Sequence, residues 1–177
     1  DGYIRSYASA HQGASTVLEI GANGQFNMSG GIVSLADVTG FSGGAFNFSG
    51  GDLILTEHDL AVDASGLLGD TVTIEDANLT VGSMSLGDGT PSSGTVLLQS
   101  GGYNRVNGDI TLNAGGDYQM TGGQLVAESI ADNGGAFNYV DGGIVLSASD
   151  IDINSASIVG ASLTVDTGEE FGAVNQV

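Results

Sequence analysis

Residues 44–51 read GAFNFSGG, and close variants recur along the chain: GQFNMSGG at 24–31, GDYQMTGG at 116–123 and GAFNYVDGG at 135–143. Beside the pairs at 43–44, 115–116 and 134–135, glycine pairs that lead into an alternating run stand at 30–31, 50–51, 101–102, 122–123 and 142–143, and these are 20, 51, 21 and 20 residues apart. The long step has room for two longer turns, the second swollen by LGDGTPSSG at 86–94. A word returning about every twenty residues is the mark of a repeat architecture, in which each unit buries its apolar side only by stacking on its neighbours.

Within each word the side chains alternate. Phe26 and Met28 fall on one face of an extended segment, Asn27 and Ser29 on the other, and Phe46/Phe48, Tyr118/Met120 and Phe137/Tyr139 repeat the arrangement. A second alternating run follows each glycine corner, as in Val33/Leu35, Leu53/Leu55 and Leu125/Ala127. The same texture continues in TVTIEDANLTV (71–81) and DIDINSASIVGASLTV (150–165). Helix signals are nearly absent; the best candidate is TEHDLAVDAS at 56–65.

Short strands, glycine corners and this period predict an all-β chain, a parallel β-helix (β-solenoid) with about 20 residues per turn. One domain over residues 1–177 would then hold eight or nine turns, with a longer turn or insertion near 86–94. Stacking at about 4.8 Å per turn places Phe26, Phe46, Tyr118 and Phe137 in one internal aromatic column, and the corner glycines are expected at positive φ. A β-sandwich has no reason to repeat one word at a fixed period, and a propeller blade needs about twice this length.

Composition narrows the function classes. The chain carries 21 Asp and Glu against two Arg and no Lys, a formal net charge of −19. That field repels phosphate backbones and anionic headgroups, so neither nucleic acid nor an anionic membrane surface is expected as a partner. No apolar run approaches the length of a membrane-spanning helix. With 41% hydrophobic and 13% charged residues the chain is expected to fold rather than remain disordered. Low Lys and Arg with abundant Asp, Gly, Ser and Asn fits an exported protein, and the start at Asp1 without a visible signal peptide fits a processed chain or an excised piece. The absence of Cys removes disulfides and thiol chemistry without fixing a compartment.

Residues suited to catalysis are scarce. Some parallel β-helices act on polysaccharides; a lyase needs a base and usually Ca²⁺, and a hydrolase needs paired carboxylates. Arg105, in GGYNRVNGD, is the residue a lyase would use as base or clamp, but a surface arginine paired with a nearby acid is the commoner role. Asp150 and Asp152 alternate with isoleucines and point outward together, the weak candidates for a Ca²⁺ site in a chain otherwise expected to need no cofactor. His58 lies between Glu57 and Asp59, yet consecutive strand residues face opposite ways, so at most two of the three converge. His11 carries no motif. Asn27, Asn47 and Asn78 match the glycosylation acceptor pattern at positions where outward polar residues are expected anyway. Thr71, Thr73 and Thr164 form no regular threonine ladder. The chain is accordingly not expected to be an enzyme.

The word G-x-[FY]-[NQ]-[MFY]-[STV]-G-G followed by an aliphatic strand resembles the glycine-rich repeats of bacterial exported β-helix proteins, including autotransporter passenger domains and autotransporter-associated β-strand repeats. The likeness covers four units between Gly24 and Ser147. It implies a right-handed parallel β-helix displayed outside the cell, and it brings no catalytic residues.

The start reads as strand, and the end stays apolar to the last residue. Tyr3, Arg5 and Tyr7 alternate at the start, and Glu169, Glu170 and Phe171 lie in an apolar-ending tail, with no capping segment evident at either side. Open solenoid ends favour head-to-tail stacking. The expected function is therefore a structural, self-assembling subunit of an extracellular fibre or surface layer, with Arg5 facing Glu169 or Glu170 across the junction. Its partner is then another copy of the chain. The alternative is an adhesin or passenger module of a longer surface protein, binding glycans or other cell-surface components; a polysaccharide lyase or hydrolase ranks third.

Overall fold

The computed structural model describes residues 3–5, 17–21, 23–39 and 45–148. Its strands are β1 (Tyr3–Arg5), β2 (Val17–Glu19), β3 (Gln25–Leu35), β4 (Asp37–Thr39), β5 (Ala45–Val62), β6 (Thr71–Ile74) and β7 (Ala77–Leu86). They continue with β8 (Thr95–Gln99), β9 (Tyr103–Val106), β10 (Ile110–Asn113), β11 (Gly116–Ala127), β12 (Ile130–Asn133) and β13 (Ala136–Leu146). No helix occurs among the described residues. Every strand-to-strand ladder is parallel. The molecule is a β-solenoid.

Each coil has three straight runs. The first run pairs Phe26 with Phe46, and later Val72 with Leu97, Leu97 with Tyr118 and Tyr118 with Phe137. The second stacks Val33, Leu53, Leu79, Asn104, Leu125 and Ile144. The third stacks Leu60, Met84, Ile110 and Ile130. Alternate residues of all three runs meet inside, where Leu53, Leu55, Leu79, Leu97, Ile110, Leu112 and Leu125 are completely buried. Period-two alternation thus decides which residues enter the core, and parallel stacking lines them up into columns.

Among the described residues the stack has about five coils, not the eight or nine expected. The coils there are also unequal, and two of them are longer than the twenty residues expected. Gly51 pairs with Ala77 and Asn78 with Tyr103, steps of 26 and 25 residues, while Gln25 to Ala45 is a step of 20. The two long coils lie where the paired glycines are 51 residues apart. They hold the 63–70 turn, whose Leu67 reaches back into the core, and the turn at 87–94, exposed from Asp88 to Ser92.

The aromatic column is also broken. Phe26 and Phe46 stack with ring centroids 4.9 Å apart, and Tyr118 and Phe137 at 5.1 Å. On the other side of Tyr118 the ladder continues through Leu97 to Val72, so the four aromatic residues form two separate pairs rather than one column. Segment 56–65 continues β5 as far as Val62 before turning. Leu60 and Val62 point inward at period two, and their burial against Met84 and Leu86 overrides the weak helical pattern.

The corners depend on one glycine of each pair. Gly31, Gly51, Gly102, Gly123 and Gly142 have φ between 60° and 113°. A Cβ on Gly51 would lie 2.5 Å from the Gly31 carbonyl oxygen, since one corner stacks directly on the next. In the last word the ladder passes from Met120–Tyr139 to Thr121–Asp141, leaving Val140 as an extra, unpaired residue. That bulge turns Val140 outward to 70% exposure.

Candidate functional site

The surface is organised by bonds between coils. Asn78 Nδ2 donates to Asp52 Oδ1 at 2.6 Å, Ser83 Oγ to Asp59 Oδ1 at 2.7 Å, Ser129 Oγ to Asp109 Oδ1 at 2.5 Å and Asn138 Nδ2 to Asp117 Oδ1 at 2.6 Å. In all four the acid belongs to the earlier coil and the donor to the later one. Two amide rungs, Asn47 to Asn27 at 2.7 Å and Asn133 to Asn113 at 2.8 Å, run in the same sense. Acids stacked on acids at this spacing would repel by roughly 0.9 kcal/mol even in bulk water. A neutral donor above each acid removes that repulsion and supplies a charge-assisted hydrogen bond. The outer surface therefore has a direction.

The outward face of the second run differs in composition. Ile54, Thr80, Arg105, Val126 and Val145 form one column, and Ile32, Asp52, Asn78, Tyr103 and Gln124 the next. The Arg105 Nε–H donates to Asn107 Oδ1 at 3.0 Å. The expected pairing of Arg105 with an acid is therefore replaced by a bond to a neutral amide. Tyr103 and Arg105, two residues apart on β9, face the same way.

The other candidates do not converge. His58 is half-buried on β5 between exposed Glu57 and Asp59, and among the described residues no three His, Cys, Asp or Glu side chains form a metal-binding group. Asn27, Asn47 and Asn78 are exposed, and their side chains are engaged in the rungs above. Asp88 is held below the usual carboxylate range chiefly by the backbone N–H of Thr90, which donates to its Oδ1 at 2.7 Å; this bond shapes the 87–94 turn. Tyr3 and Arg5 lie on β1, which pairs with β3. Tyr7, His11, Asp150, Asp152, Thr164, Glu169, Glu170 and Phe171 lie outside the described residues.

A feature that sequence reasoning missed lies inside the stack. Gln99, Asn104 and Tyr118 are fully buried in an otherwise apolar core. Asn104 Nδ2 donates to the Tyr118 hydroxyl at 2.8 Å, that hydroxyl donates to Gln99 Oε1 at 2.5 Å, and Gln99 Nε2 donates to the Gln124 carbonyl at 2.9 Å. The direction of the chain follows from its last member. A carbonyl only accepts, so the Gln99 amide must turn its NH₂ toward Gln124 and its oxygen toward Tyr118. The phenol then donates to Gln99, so its remaining lone pair takes a proton from the Asn104 NH₂. Asn104 Oδ1 is the atom left without a partner, as is Thr95 Oγ1. Burial raises the Tyr118 phenol above its ordinary pKa, so it stays neutral in the folded chain. The sequence signals were Gln99 at an inward position of TVLLQ and Asn104 at an inward position of YNRV, where the alternation calls for apolar residues.

No family model, curated protein or solved structure matches this chain. The β-helix repeat architecture stands on the coil geometry alone.

Proposed function

We propose that the chain is a structural subunit of an extracellular fibre or surface layer that adds head-to-tail along the solenoid axis. The polarity of the outer rungs carries this reading. Every acid–donor rung sets an acceptor on the earlier coil beneath a donor on the later one. Another copy stacked in the same sense repeats that match, whereas head-to-head stacking sets acceptor against acceptor. The junction residues assigned are Tyr3, Arg5 and Tyr7 at one end and Glu169, Glu170 and Phe171 at the other, with Arg5 opposite the two glutamates. Such a contact is heterologous and does not close into a ring. Display outside the cell, and kinship with exported passenger-type repeats, belong to the same proposal and rest on the repeated word and the composition.

Electron microscopy and light scattering across a concentration series test it. Unbranched filaments one solenoid wide are expected, and Arg5→Glu should shorten or abolish them. A chain that remains monomeric at high concentration excludes the fibre.

A second reading, an adhesin module, is favoured by the outward pairing of Tyr103 with Arg105, residue types enriched in binding hot spots. It predicts binding to a glycan or surface ligand that is lost in Arg105→Ala while thermal stability is unchanged.

A further inference from the structure

We infer that Gln99, Asn104 and Tyr118 form a polar key that fixes which coil stacks on which, and so keeps other coils from inserting within the stack. The need arises from the repeat itself. The segments at 24–31, 44–51 and 116–123 present the same corner, the same alternation and an aromatic residue at the same place. Were the coil beginning at Gly116 to leave β8 and pair with β5, Tyr118 would stack on Phe46. Its existing stack on Phe137 shows that such an aromatic pair is well accommodated. Hydrophobic burial and backbone hydrogen bonding therefore discriminate poorly between the native stack and one slipped by whole coils.

The polar key does discriminate. Its three side chains come from β8, β9 and β11, on two successive coils, and each is fully buried. Tyr118 bonds to both of the others, so removing its coil leaves Gln99 Oε1 and Asn104 Nδ2 without their partner. The slipped position offers Tyr118 the rung Phe46 and Phe48 in place of Leu97 and Gln99, with no side-chain acceptor for the hydroxyl. Each buried polar group orphaned this way disfavours the slipped arrangement by about tenfold or more in population. Buried polar groups in coiled coils fix register by the same logic, at some cost in stability. The same selection operates between chains, because a coil from a second copy that displaced a native coil would break the key. Growth is then confined to the ends of the stack.

The absence of Cys permits a direct test with engineered cysteine pairs. Leu98→Cys with Gln119→Cys reports the native pairing of β8 with β11, since these outward residues are ladder neighbours. Asn47→Cys with Gln119→Cys reports the slipped one. In the otherwise natural chain, refolded and then oxidised, the native pair should cross-link and the slipped pair should not, within or between chains. In the apolar variant Gln99→Leu/Asn104→Leu/Tyr118→Phe, the slipped cross-link should rise at least fivefold, and part of it should join two chains, while the thermal midpoint holds or increases. Should that variant fail to fold, Tyr118→Phe alone is expected to raise the slipped cross-link in the same direction. A keyless chain that cross-links only at 98–119, in the natural yield and as a monomer, overturns the proposal, as does a slipped cross-link of equal yield in the natural chain.

Discussion

Gly51 shows how little freedom a single residue has in this stack. Its φ of 89° is in the left-handed region, and a Cβ there meets the backbone of the corner below rather than a movable side chain. Gly51→Ala should therefore cost more than the ~1–2 kcal/mol of the left-handed penalty alone, read as a lower urea midpoint with an unchanged slope. Leu79 is the apolar counterpart. It is fully buried between Leu53 and Asn104 in the second run, and Leu79→Ala should lower stability by about 2–5 kcal/mol by the same measurement. Tyr118 adds a pH dependence. Burial raises its pKa in the folded chain, while the unfolded phenol ionises near its ordinary value of 10.0. Its contribution is thus fully present below pH 10 and falls above it, at up to ~1.4 kcal/mol per pH unit. Tyr118→Phe should flatten this alkaline loss, though not remove it, because burial and Asp141 also raise Tyr139.

At the scale of strands, the outer rungs explain why acids are numerous yet seldom stacked. Asn27 and Asn47 are bonded neighbours on β3 and β5. Replacing both by Asp creates a like-charge rung of a kind that the ladders of the described residues do not contain. The double variant Asn27→Asp/Asn47→Asp should be less stable than the two single changes combined by roughly 0.9 kcal/mol, with the excess vanishing in 1 M salt. A double-mutant cycle in urea at low and high NaCl measures it. The bulge at Val140 belongs to this scale too: the offset between β11 and β13 is 19 residues at Met120–Tyr139, 20 at Thr121–Asp141 and 19 again at Gln124–Gly143, so the unpaired position on β13 is matched by one on β11.

For the molecule as a whole, charge opposes compaction. With a formal net charge of −19, folding gathers carboxylates that the unfolded chain keeps farther apart. Moderate NaCl should raise the thermal midpoint by screening this repulsion, and calorimetry at 10 and 300 mM distinguishes that from no effect. Far-ultraviolet circular dichroism should show strand and turn. The chain is a stack of unequal coils, and the wider ones sit where the paired glycines are farthest apart.

The repeated word, its alternation and its glycine corners were legible in the sequence, because period-two patterning and positive-φ glycines are local properties. These determined the all-β class, the parallel stack and the inward positions of Phe26, Phe46, Tyr118 and Phe137. The lengths of individual coils were not legible, since a coil of 26 residues and one of 20 occupy the same rise along the axis. The rungs joining Asp52 to Asn78 and Asp117 to Asn138, and the key of Gln99, Asn104 and Tyr118, were decided by tertiary structure alone. Each joins residues 14 to 26 positions apart, and only stacking in one particular register brings them within hydrogen-bonding distance.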